Sequence, residues 1–315
     1  GNGASVRRSR RLDRRRVRRG RQGGTTIMKD RAIAFDFDGT LVHSGFDKGV
    51  HIMYAVYAAC AATRFRRFLH PHDPRGDLER LLRGLLQHTG APRFQQLAAL
   101  LNSLIHDRPV VVEAPHGLEV DPDLAAEYDC VRRTYDVTYT ALNDAAARKY
   151  WKAYPAALEI VPRLAVDFDL FIASGVPQDM LEDDLARHGY DRRLFQGIWG
   201  ADRQGGADKA ELLGRIKARG YRDVLFVGDA SRDLEYARTA GVKLFRIKDP
   251  EDFHSLAALV QRGFPNRAEP WTWTETDKRF FRSKTRRLVE ALLAGRPLSP
   301  TEAVDAIHEE RRACR

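Results

Sequence analysis

Four polar clusters in this chain carry side chains able to do chemistry together. Asp36 and Asp38 follow the short apolar run Ala32-Ile33-Ala34-Phe35 and sit two residues apart. In extended backbone, residues i and i+2 point to the same side. Two carboxylates so placed can bind a divalent cation or divide the roles of nucleophile and acid/base. Ser174 and the amides that follow it, beginning with Gly175, end a second apolar run, Leu170-Phe171-Ile172-Ala173, and could hydrogen-bond an oxyanion. Lys209 opens a predicted helix and can place a point positive charge. Asp229 and Asp233 flank a tight turn after Val224-Leu225-Phe226-Val227. Carboxylates in two groups, a lysine and a hydroxyl meeting at one strand edge describe a magnesium-assisted phosphoryl site.

The elements that must position these residues alternate. Short apolar runs near 32–35, 170–173, 197–200, 224–227 and 242–247 read as strands. Helical segments near 178–189, 208–219 and 231–240 separate the later ones. Such alternation predicts an α/β fold, a Rossmann-like parallel sheet with helices on both faces. Ligands and long insertions in these folds sit at the carboxyl ends of the strands. Between the first two strands, Val50, Met53, Tyr54, Tyr57 and Ala61 mark one face of an amphipathic helix. Leu78 to Leu86 and Phe94 to Leu104 repeat that spacing. Near the end of the chain, the spacing predicts a helix over 276–294 with Gly295 after it. Ser299-Pro300-Thr301-Glu302 then combines a capping box with Pro at the first helical position.

The four clusters, in this order, resemble the four motifs of the haloacid dehalogenase superfamily, in particular its phosphoglycolate phosphatase-type members. Asp36-Phe37-Asp38-Gly39-Thr40 is similar to the first motif, Ser174 to the second and Lys209 to the third. Gly228-Asp229-Ala230-Ser231-Arg232-Asp233 is similar to the fourth. The resemblance implies that Asp36 attacks phosphorus to form an aspartyl-phosphate. Asp38 then protonates the leaving group and later activates water, while Thr40 helps position the loop. It further implies that Ser174, Gly175 and Lys209 bind phosphoryl oxygens. Mg²⁺ would be held by Asp36, the backbone carbonyl of Asp38, and Asp229, with Asp233 supporting it. The substrate would be a small phosphorylated metabolite. Retention of Asp38 matches the phosphatase and phosphomutase pattern, phosphatase being the commoner outcome. The implied architecture is a catalytic core (28–44 and 155–262) with an α-helical cap inserted at 45–154, and a C-terminal helical extension at 263–315. His43 stands where relatives often carry Asp. Lys48 and His51, near the hinge between core and cap, are weaker candidates for substrate contact.

Composition limits the remaining function classes. Hydrophobic residues make up 43% of the 315-residue chain and charged residues 30%, a globular composition. No apolar run approaches the ~18–20 residues a membrane-spanning helix needs, and no apolar stretch follows the basic start as in a secretory signal. The three cysteines are far apart, which argues against a disulfide framework and fits a reducing compartment. A cytoplasmic location is the expectation. The net charge of +10 is concentrated: residues 1–24 hold ten Arg and one Asp, leaving a nearly neutral body. Residues 1–27 read as an unstructured Arg-rich arm preceding Met28. The minor reading is a polyanion-binding arm, which would make the protein a nucleic-acid-associated phosphatase or binding module.

Some features have simpler readings. Asp167-Phe168-Asp169 precedes its strand and lacks Gly-Thr, so it reads as a surface turn. His70 and His72 lie in a Pro-rich surface loop rather than a metal site. Trp271 and Trp273 read as packing rather than as a stacking platform.

Overall fold

The computed structural model describes residues 29–91, 93–107, 122–201, 209–269 and 272–313. The expectations for residues 1–28, Asp208, Trp271 and Cys314 fall outside the described residues. Five strands, β1 (Arg31–Phe35), β2 (Asp169–Pro177), β3 (Phe195–Ala201), β4 (Asp223–Gly228) and β5 (Lys243–Arg246), form one sheet in the order β3-β2-β1-β4-β5. All four pairings are parallel, with Ala34 opposite both Phe171 and Phe226. Successive β1 residues face opposite sides. Ile33 and Phe35 enter one apolar cluster with Phe253 and Leu256, while Ala32 and Ala34 enter another with Leu213 and Ile216. Covering both faces requires near-continuous apolar strands, as the sequence shows.

Helices α1 (Gly45–Ala61), α2 (Pro74–His88), α3 (Arg93–His106) and α4 (Pro122–Lys149) form an insert after β1. The chain returns to the sheet through α5 (Pro155–Asp167), followed by α6 (Gln178–Arg187), α7 (Lys209–Lys217), α8 (Asp233–Ala240) and α9 (Asp252–Val260) among the strands. Two further helices, α10 (Glu275–Leu293) and α11 (Pro300–Ala313), end the chain. The predicted capping box is present: Ser299 Oγ accepts from the Glu302 amide, and a Glu302 carboxylate oxygen accepts from the Ser299 amide at 2.8 Å. No helix among the described residues is long and apolar enough to cross a membrane.

The C-terminal extension packs on the insert. Its root follows the edge of β5, where the Arg267 amide donates to the Leu244 carbonyl at 2.8 Å. α10 then lies against α1: Phe281 stacks on Phe46 with centroids 5.8 Å apart, and Thr285 reaches Met53 Sδ at 3.9 Å. Gly49 makes this approach possible, since a Cβ there would stand 2.4 Å from Phe281 Cε1. α11 lies against α4, with Tyr150 stacked on His308 at 3.8 Å and bonded to Asp305 at 2.7 Å. The His308 Nε2 is 3.0 Å from the buried Asp47 carboxylate, which also accepts from Trp151 Nε1. This cover explains why α1 is buried beyond its amphipathic stripe, with Ala55, Val56, Ala59 and Cys60 all fully buried. Burying a side chain such as Phe281 contributes about 1.5–3 kcal/mol.

The reading of Asp167-Phe168-Asp169 as a surface turn is corrected by its surroundings. Phe168 is buried, and Asp169 begins β2 as a buried acceptor for Tyr221 Oη at 2.9 Å and the Lys29 amide at 3.2 Å. The segment that resembles a catalytic loop in composition instead fastens the start of the strand. His70 is largely exposed, in line with a loop, and its amide is tied to Asp77 Oδ2 at 2.8 Å.

Candidate active site

The loop after β1 is fixed at both ends. The Asp36 amide donates to the Val227 carbonyl at 2.8 Å, continuing the β1–β4 register one residue past β1. Gly39 follows with φ +75°, and a Cβ there would lie 2.2 Å from Asp229 Oδ2. Only glycine meets both demands, which accounts for Gly39 between Asp38 and Thr40. Thr40 Oγ1 donates to Asp229 Oδ1 at 3.1 Å, joining the first loop to the loop after β4. Gly228 has the same steric role, since its Cβ would meet Asp233 Oδ2 at 2.3 Å.

Asp36, Asp229 and Asp233 converge, each presenting a carboxylate oxygen within 4.8 Å of the others. Lys209, at the start of α7, places its buried ammonium 2.5 Å from Asp36 Oδ2 and 2.9 Å from Asp233 Oδ1. Asp233 also accepts from the Ala230 amide at 2.9 Å. Three carboxylates against one ammonium leave an excess of negative charge in a desolvated place. Burial, opposed by Lys209 and reinforced by Asp233 and Asp38, pushes Asp36 up to about 6. Burial and the charges of Asp36 and Asp233 hold Asp229 well above the usual carboxylate range. Lys209 is held above the ordinary lysine value, because Asp233 and Asp36 outweigh the desolvation that would lower it. It is therefore a permanent cation. The donor set fits a divalent cation: hard carboxylate oxygens, mutually close, and short of positive charge.

Asp38 is held differently. Its carboxylate accepts from Ser44 Oγ at 2.7 Å and pairs with Lys48 of α1. Lys48 in turn sits 5.1 Å over the Trp151 ring. Ser174 is buried, its Oγ accepting from the Val176 amide at 3.2 Å, and Gly175 is exposed beside it. The strand expected to end at Ala173 continues to Pro177, with a register shift before Pro177 pairs with Ala201.

One cavity of about 160 Å³ joins these residues: Asp36, Asp38, Ser174, Gly175, Lys209 and Asp229 line its sheet end, and Lys48 lies on its wall. Asp233 sits behind Lys209, and Thr40 behind Asp229. His51 lies behind the wall; it is fully buried, stacks on Trp151 and bonds through Nδ1 to Asn143 at 2.7 Å, and burial lowers it to about 4. Asn143 rather than His51 reaches the lining. His43 is exposed and lies edge-on to Tyr154 in a smaller cleft on the other side of Gly39.

Sequence reasoning missed several wall residues. Asn143, Tyr139 and Trp151 come from α4 and its end, and Trp273 and Phe281 from the C-terminal extension. Trp273, read as packing, does pack on Phe46 and Phe281 but also lines the cavity. For Tyr139, Trp151 and Phe281 an apolar side chain indicates burial but not what it is buried against, and the polar Asn143 gave no signal.

Comparison with known proteins gives a consistent result. The family model for haloacid dehalogenase-like hydrolases matches residues 31–241. A comparison with curated proteins gives no match. Among solved structures, a haloacid dehalogenase-like family protein from Streptococcus pneumoniae is 18% identical and superposes with a TM-score of 0.44. That overlap covers 70% of this chain and 85% of the other. A predicted phosphoglycolate phosphatase from Haemophilus somnus is 20% identical, with a TM-score of 0.43 over 71% of this chain and 87% of the other. A β-phosphoglucomutase from a hyperthermophilic Pyrococcus species is 15% identical, with a TM-score of 0.43 over 69% and 86%. At these identities and scores the superpositions carry no functional weight; the family match rests on residues 31–241.

Proposed function

The chain belongs to the haloacid dehalogenase-like hydrolase family, and on that premise we propose that it is a Mg²⁺-dependent phosphatase acting on a small phosphorylated metabolite. The observation that carries the reading is the meeting of Asp36, Asp229 and Asp233 around the Lys209 ammonium at the carboxyl edge of the sheet.

In this reading, an Asp36 carboxylate oxygen attacks phosphorus, and the bond from phosphorus to the alcohol oxygen breaks as the aspartyl-phosphate forms. Asp38, which must first take up a proton because its carboxylate is paired with Lys48, delivers that proton to the departing alcohol. It then takes a proton from the water that attacks the aspartyl-phosphate, releasing inorganic phosphate and regenerating Asp36. Ser44 and Lys48 hold the Asp38 carboxylate in place, in contact with both the loop and α1. Lys209 and Ser174 bind phosphoryl oxygens, Lys209 as a fixed positive charge in a dry site. Asp36, Asp229 and Asp233 would hold Mg²⁺, which when bound lets an anionic nucleophile approach an anionic phosphate. The helical insert serves as the cap that excludes water and contacts the alcohol half of the substrate.

The test is phosphate release from a panel of phosphomonoesters that includes p-nitrophenyl phosphate. Release should require Mg²⁺, stop on addition of EDTA and be absent in Asp36→Asn. Release that persists in Asp36→Asn would overturn the reading.

A further inference from the structure

The cavity is lined by more than the phosphoryl end, and two residues of that further lining, Trp273 and Phe281, come from outside the family match. We propose that the C-terminal extension, through Trp273 and Phe281, completes the substrate pocket and directs it to phosphomonoesters whose alcohol half is uncharged and apolar. This inference rests on the phosphatase reading of the same site.

Two independent observations lead to it. The first is the wall itself. Trp273 and Phe281 reach the cavity beside Ile52, Leu85, Trp151 and Met180, an apolar surface drawn from the insert, the sheet side and the extension. Trp273 and Phe281 are fixed edge-to-face at 5.5 Å, and both pack on Phe46 of α1, so the wall is preformed. A rigid aromatic wall binds apolar area without ordering flexible side chains.

The second is the charge of the lining. Among the described residues it holds three cations, Lys48, Arg93 and Lys209. Each is already paired, with Asp38, with Asp136, and with both Asp36 and Asp233, respectively. Lys209 belongs to the phosphoryl end. The cavity also presents Asp144 and Asp184, the latter paired with Arg187 and raised chiefly by burial. Among the described residues, a second phosphate or a carboxylate on the alcohol half would meet only cations that already have a carboxylate partner, and would lie near Asp144 and Asp184. Like-charge juxtaposition of this kind rejects wrong ligands. The lining therefore disfavours both a phosphorylated acid and the bisphosphate that a phosphomutase must hold.

The experiment compares three substrates that lack an aryl leaving group, with Mg²⁺ present: 2-phenylethyl phosphate, phosphoglycolate and glucose 1,6-bisphosphate. The wild-type protein should turn over the phenylethyl ester with kcat/KM at least about tenfold above either acidic ester. Trp273→Ala should reduce that advantage by about tenfold, mainly through KM, and Trp273→Phe should restore most of it. Because Phe281 is deeply packed, Phe281→Leu serves as the second variant, its folding checked by thermal unfolding; it should shift KM in the same direction. Preference of the wild type for an acidic ester, or a folded Trp273→Ala protein with unchanged selectivity, would overturn the inference and leave the phosphatase reading standing. Failure to release phosphate from all three esters and from p-nitrophenyl phosphate would remove the phosphatase reading and the inference with it.

Discussion

The excess of negative charge at the sheet edge predicts that Asp36 destabilises the metal-free protein. Asp36 is pushed to about 6 from an ordinary value of 3.8, chiefly by burial. A carboxylate whose folded value is raised binds its proton more tightly in the folded state. The contribution of Asp36 to stability is then greatest at low pH and falls as pH rises between 3.8 and about 6. At 1.36 kcal/mol per pH unit, that gap costs about 3 kcal/mol once Asp36 is ionised. Asp36→Asn keeps the shape and removes the charge. In EDTA it should therefore be more stable than wild type, by about 3 kcal/mol at pH 7.5 and by about half that at pH 5. Urea unfolding of both proteins at both pH values measures the difference. Mg²⁺ should reverse the order, since it binds the ionised carboxylates of the folded wild type; at a concentration one thousand times its Kd it adds about 4.1 kcal/mol, more than the gap of about 3. An Asn variant no more stable than wild type in EDTA, or a gap that does not shrink at pH 5, would refute the account of Asp36 as a buried, undercompensated carboxylate.

Two further substitutions test neighbouring parts of the argument. Lys209→Met removes the buried ammonium shared by Asp36 and Asp233; it should cost about 3–5 kcal/mol in EDTA at pH 7.5, read by urea unfolding, and lower kcat by about 10²–10³-fold. Gly49→Ala brings a methyl group to 2.4 Å from Phe281 Cε1. Overpacking should cost about 1–3 kcal/mol, less the roughly 1 kcal/mol that Ala gains over Gly in a helix. Combining it with Phe281→Leu should recover part of the loss; a stabilised single variant would mean that α10 does not press on α1 there.

The parts of this molecule legible from sequence are those fixed by local chemistry. An apolar run followed by Asp36-Phe37-Asp38-Gly39-Thr40 leaves few conformations, because Gly39 alone can take a positive φ beside Asp229. The five strands and their alternation with helices follow from periodicity for the same reason. What periodicity does not carry is the partner of each apolar face. The stripe on α1 predicts burial, and α1 is buried, but nothing local to Gly49 or Met53 names Phe281 and Thr285, more than 200 residues away, as their cover. The Asp167-Phe168-Asp169 segment shows the opposite failure. Its composition suggests exposure, yet Asp169 is buried, because Tyr221 and the Lys29 amide satisfy its oxygens from distant parts of the chain.

The same separation governs the site. The end that would handle phosphate is built from loops after β1 and β4, from β2 and from the start of α7, all within the family match. The end that would meet the alcohol is built from α1, α4 and a helix that begins 34 residues beyond that match. The extension is anchored twice: at the sheet edge through Arg267, and on the insert through Phe281, Asp305 and His308. It therefore ties the insert to the sheet in addition to the covalent connections at Ser44 and Tyr154, with Phe281 packed on Phe46 two residues from the first of them. Any opening of the cavity must either move α10 and α11 together with the insert or break the Phe46–Phe281 stack. The first route keeps the aromatic wall intact and exposes no buried apolar face. Selectivity in this chain would then travel with the insert as a six-helix unit, while the chemistry stays with the sheet.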